Sequence, residues 1–171
     1  MSRIASSASD LALRNARRQA VPVLATLGAS LLDLLPIVAS QSIVPDFALL
    51  VLIAWRLLRP ELWRAQVALP LGLFNDLVAG HPIGQSMALW TIVFLACDLL
   101  DSRTGWRDYW MDWLFACLAI AFCTFGGWYV ARLMGSGADF SVMIPQLLLS
   151  FLAYPLVARM VLALDRWRLT R

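Results

Sequence analysis

Six apolar runs, at about 20–40, 43–58, 65–79, 83–100, 110–132 and 142–164, are separated by polar breaks too short to hold a soluble domain. This spacing constrains the fold more than any single residue. A helix needs about 20 apolar residues to cross a hydrocarbon core of roughly 30 Å. Four runs reach or approach that length, while the second and third are short. The core of the second run, 47–58, is about 18 Å at 1.5 Å per residue. With 61% hydrophobic and 15% charged residues and a mean hydropathy of +0.73, the chain is more apolar than soluble domains are. The expectation is an all-α integral membrane protein, a polytopic bundle of six transmembrane helices. A cytoplasmic segment (1–19) precedes the membrane domain (20–165) and a cytoplasmic tail (166–171) follows it. A re-entrant hairpin over 45–79 would bury Arg56, Arg59, Glu61 and Arg64 at depth, a cost that favours two crossings.

Charge placement orients these spans. No Lys occurs, and most of the arginines sit at the ends of the runs. Threading the chain six times puts Arg3, Arg14, Arg17, Arg18, Arg56, Arg59, Arg64, Arg103, Arg107, Arg166, Arg168 and Arg171 on one side, with only Arg132 clearly opposite. That is the positive-inside pattern, with both termini cytoplasmic. It accounts for the net charge of +3 without invoking nucleic acid, which would need one continuous basic face. Trp55, Trp63, Trp106, Trp110, Trp113 and Trp167 fall at the same interface, where amphipathic rings are favoured. The segment Ile37-Val38-Ala39 loosely resembles a signal-peptide cleavage site, but Asp33 within the preceding apolar run argues against cleavage.

One stretch departs from plain hydrophobicity. In Pro70–Gly84 an amide and a carboxylate, Asn75 and Asp76, stand inside an apolar helix that Gly80-His81-Pro82 then ends. Helical spacing places Ala65, Ala68, Gly72, Asn75, Asp76 and Ala79 on one small, polar face, suited to helix contacts in a membrane. Ala25, Ala29 and Asp33 form a similar stripe on the first span. Asp33, Asn75, Asp76 and Gln85 are therefore expected to form an intramembrane polar network. Its two uses are helix-to-helix hydrogen bonding and a proton, ion or partner site. Pro45 and Asp46 begin the second span, where a missing amide hydrogen and a negative charge are both favoured. Gly126-Gly127 permits close helix approach or a bend, and Pro155 is expected to kink the last span. The acidic and basic residues about Asp98, Asp101, Arg103, Arg107, Asp108 and Asp112 read as mutual surface ion pairing.

Catalytic patterns are absent from this sequence. The single histidine, His81, lies in a turn with no spaced nucleophile partner, and no glycine loop has the spacing of a nucleotide site. Cys97, Cys117 and Cys123 form neither a metal-ligand pattern nor a disulfide framework. No enzyme activity, metal or cofactor is expected.

Pro45-Asp46-Phe47-Ala48-Leu49-Leu50-Val51-Leu52, the turn Arg59-Pro60, the segment Gly72-Leu73-Phe74-Asn75-Asp76-Leu77 and Pro82-Ile83-Gly84 together resemble the rod shape-determining MreD family. Chain size, helix number and basic cytoplasmic ends are similar along nearly the whole length, although the specific motif lies between Pro45 and Gly84. Asn75 departs from the family pattern, which favours an apolar residue there. The resemblance implies a non-enzymatic subunit of the bacterial cell-elongation complex in the inner membrane. It also implies partners: MreC, the actin-like MreB, the RodA glycosyltransferase and a class B penicillin-binding transpeptidase. Pro45, Asp46, Gly72, Asp76, Pro82 and Gly84 match the family's motif positions. An alternative follows from the similar size and helix number of the substrate-binding subunits of energy-coupling-factor transporters. That reading requires a cavity of hundreds of cubic ångströms near Asp33, Asp76 and Gln85.

Overall fold

A computed structural model describes residues 8–34, 44–61, 63, 65–101, 109–137 and 139–170; the side chains of 8–19, 33, 169 and 170 fall outside that description. Among the described residues six α-helices carry the fold: α1 (Ala8–Leu31), α2 (Phe47–Leu58), α3 (Ala65–Ala79), α4 (Gln85–Asp101), α5 (Tyr109–Leu133) and α6 (Ile144–Thr170). Short 3-10 turns follow α1 at Leu32–Leu34 and precede α6 at Phe140–Met143. No strand occurs among the described residues.

Successive helices α2 to α6 alternate in direction, as contacts at the two ends of the bundle show. The start of α2, the α3–α4 turn, the end of α5 and the start of α6 meet around one cleft. The ends of α2, α4 and α6 meet at the opposite pole through ion pairs. α1 packs on α2 and α3, while α6 closes on α2 and α5.

α2 is the centre of this arrangement. Nine of its residues, from Ala48 to Leu57, are buried, so it is hydrophobic nearly all round because it is surrounded nearly all round. α5 and α6 lie outside it and have the opposite character. Leu114, Leu118, Phe122 and Phe125 on α5, and Leu148, Leu152, Leu156 and Met160 on α6, point outward and are exposed. Such an apolar exterior far exceeds what a water-soluble monomer displays. Among the described residues two stretches are long and apolar enough to cross a bilayer on their own, Tyr109–Leu133 and Phe140–Arg168. The helices at Phe47–Leu58 and Ala65–Ala79 are shorter, as their sequence spans predict.

Some local expectations change. α1 starts at Ala8, so the arginine-bearing segment and the first apolar run are one continuous helix, with the hydroxyl of Thr26 donating to the Pro22 carbonyl at 3.0 Å. The remainder of the first run, 35–40, lies outside the described residues. Pro155 lies inside α6, which runs unbroken from Ile144 to Thr170, as a kinked helix also does. Gly126 and Gly127 act as approach points: a Cβ on the first would meet the Leu89 side chain at 2.5 Å, and one on the second the Gln85 amide nitrogen at 3.1 Å.

Candidate functional site

The α3–α4 hairpin is built on Gly72 and Asp76. A Cβ at Gly72 would lie 2.5 Å from Met87 Cα and 2.6 Å from its nitrogen, so glycine is what lets the two backbones touch. One turn further, Asp76 is 1% exposed and caps the helix that follows its own. Its Oδ2 accepts from the Gly84 amide at 2.9 Å and, more distantly, from Met87 at 3.5 Å, while Oδ1 accepts from the Ser86 amide at 2.8 Å. The first N–H groups of a helix have no intrahelical acceptor. In an apolar medium each would be costly if left bare, and the positive end of the α4 dipole also favours a carboxylate there.

The chain reverses between these elements through two glycines with positive φ, Gly80 at 70° and Gly84 at 97°, flanking Pro82. The His81 amide donates to the Asp76 carbonyl at 3.1 Å and closes the end of α3. Asn75 donates through Nδ2 to Ser86 Oγ at 3.3 Å, and its Oδ1 is buried with no partner among the described residues. Asp46 caps α2 by accepting from the Leu49 amide at 2.9 Å; it stands one residue before the helix rather than in its first turn.

A second polar cluster occupies the opposite pole. Arg56 on α2 is 2% exposed and bridges α4 through Nη2, at 2.6 Å from Asp98 and 2.8 Å from Asp101. Its guanidinium also lies over the Phe94 ring, 5.8 Å from the centroid. Arg59 donates through Nε and Nη2 to Asp165 of α6, at 3.0 and 2.8 Å, and Arg168 pairs with the same carboxylate. That hydrogen bond and charge raise the Arg59 pKa above its usual value, so the guanidinium remains cationic. Arg168 also covers the Trp55 ring at 5.3 Å, sealing the end of α2.

A family model described as rod shape-determining protein MreD matches residues 19–166. The chain belongs to the MreD family. Membership makes it a membrane protein of the rod shape-determining class, in keeping with the apolar exterior of α5 and α6. No curated protein and no solved structure matches the chain significantly.

Within this MreD-family chain, Gly72, Asp76 and Gly84 come together in one hairpin, with Asn75 beside them through Ser86. Pro82 lies in the turn, and Pro45 and Asp46 begin α2 across a cleft from it. Gln85 turns toward Gly127 of α5 and that cleft. The side chain of Asp33 lies outside the described residues, although its 3-10 turn packs on α3.

The charged pole is what sequence reasoning missed. By sequence Arg56 is one of the cytoplasmic-side arginines and Asp98 and Asp101 pair with nearby loop residues at the surface; in the fold Arg56 is their partner across 42 and 45 positions. The residues from 102 to 108 expected in that cluster are outside the described set. A signal was present: α2, α4 and α6 each end in charges three residues apart, Arg56 and Arg59, Asp98 and Asp101, Asp165 and Arg168. Charges on one helix face at one depth on three spans are set to meet.

Proposed function

We propose that this MreD-family chain is a non-enzymatic subunit of the bacterial cell-elongation complex. It would cross the inner membrane six times with both ends in the cytoplasm. It binds MreC and helps couple MreB filaments to the RodA glycosyltransferase and its class B penicillin-binding transpeptidase. The family match over 19–166 carries this reading. The physical design supports it: polar groups are spent on fixing helix against helix at both poles, and short loops leave no room for a soluble catalytic domain.

The alternation of α2 to α6 supports this threading, and the burial of α2 frees that short helix from matching the bilayer thickness. Asp76 then fixes the outer ends of α3 and α4, on which MreC docks. The test is co-purification of MreC with wild type and with Asp76→Ala, together with cell shape after replacement of the native copy. Wild type retains MreC and rods, and the variant loses both. Unaltered MreC recovery and rod shape in a variant whose hairpin is demonstrably loosened would defeat the assignment. The transporter-subunit alternative asks for a cavity near Asp33, Asp76 and Gln85; the cleft of about 260 Å³ meets Gln85 but is not walled by Asp76, and the family match favours the elongation-complex reading.

A further inference from the structure

The cleft at the pole opposite the ion pairs has a composition that helix packing does not require. It holds about 260 Å³ and is bounded by the first residues of α2, the α3–α4 turn, the last turns of α5 and the start of α6. Its apolar walls include Leu49, Leu89 and the indoles of Trp90 and Trp128. Its polar lining includes the Asp46 carboxylate, the His81 imidazole, the hydroxyls of Ser86 and Thr124 and the amides of Gln85 and Gln146. His81 Nδ1 is buried with no partner among the described residues. The space is kept open by Gly127, where a Cβ would press on Gln85 at 3.1 Å. A carboxylate, an unpaired imidazole nitrogen and aromatic faces in one partly enclosed recess are complementary to a compact cation with several N–H donors.

We propose that this cleft binds a primary ammonium group carried on a short chain. The ammonium donates to Asp46 and to the unpartnered His81 Nδ1, with its chain along Leu49 and Leu89. The group could arrive on a soluble amine or on an aminophospholipid headgroup of the outer leaflet. In the second case Arg132, stacked at 5.3 Å over Trp128 on the rim, stands ready for the phosphate.

The experiment uses the full chain in nanodiscs of phosphatidylcholine and phosphatidylglycerol, which contain no primary amine, with butylammonium as probe and butanol as its uncharged match. Butylammonium is expected to raise the melting temperature saturably and butanol to leave it unchanged. Asp46→Asn keeps an N-cap of comparable quality but loses the charge, and is expected to weaken butylammonium about tenfold, near 1.4 kcal/mol. His81→Ala serves as an independent variant with the same expectation. Nanodiscs containing phosphatidylethanolamine separate the sources: loss of the butylammonium response there identifies the headgroup as occupant, and its persistence identifies a soluble amine. Butylammonium acting no better than butanol, or binding Asp46→Asn and His81→Ala as it binds wild type, would overturn the proposal.

Discussion

Removing the Asp76 carboxylate should loosen the α3–α4 hairpin more than any other single side-chain truncation outside the apolar core. The loss is worked from its bonds. The contacts to Gly84 and Ser86, at 2.9 and 2.8 Å, are short and buried, and hydrogen bonds to a charged group contribute about 1.5–3 kcal/mol each. The 3.5 Å contact to Met87 adds little. Asp76→Ala strips two good acceptors and leaves their N–H donors bare, so a destabilisation of about 4 kcal/mol is expected. Asp76→Asn keeps one acceptor oxygen but turns an amide donor toward the other N–H, and about 2 kcal/mol is expected. Reversible unfolding of purified protein in mixed micelles of rising dodecyl sulfate fraction, followed by tryptophan fluorescence, reads both values. An Asp76→Ala loss below about 1 kcal/mol would refute the idea that this carboxylate is the cap of α4.

Further outcomes follow from the same geometry. Gly72→Ala places a methyl 2.5 Å from the Met87 backbone, and overpacking of this kind should cost about 1–3 kcal/mol in the same titration. Asn75→Leu removes an unsatisfied buried oxygen, so its stability should stay within about 1 kcal/mol of wild type or rise. At the charged pole the two sides of the bridge are unequal: Asp98 is 43% exposed and can turn to water, whereas Arg56 cannot. Asp98→Asn with Asp101→Asn should therefore cost about 3–5 kcal/mol and Arg56→Met markedly less, and the reverse order would be inconsistent with a stranded guanidinium. With the native cysteines replaced, Glu61→Cys should react with an impermeant maleimide only from the cytoplasm and Ser136→Cys only from outside. Labelling of both from one side would contradict the six-span threading.

The helical class and the positions of α2 to α6 were legible because a bilayer imposes length and hydrophobicity on every segment. α3 occupies the very residues its apolar run marks out, 65–79. The small face of that helix was legible too, since Gly72, Asn75 and Asp76 share it by spacing alone. What Asp76 bonds was not. An acid on a helix face can bind an ion, a partner or a neighbouring helix, and only the reversal through Gly80 and Gly84 brings the amides of α4 back onto it. The Arg56 bridge was hidden for a similar reason. Hydropathy treats an arginine at a run's end as interfacial, and whether it faces headgroups or protein depends on which helices surround it. α2 is the one helix enclosed on most sides, so its arginine had only protein to meet.

That enclosure has an electrical consequence. α2 is only 12 residues long, and its axis runs from the Asp46 cleft to the Arg56 bridge. Along this line the uninterrupted nonpolar matter is about 18 Å deep, against roughly 30 Å in the surrounding lipid. Under the proposed six-span threading, the voltage of an energised membrane drops over a shorter path through the middle of this protein than around it, and the field there is correspondingly steeper.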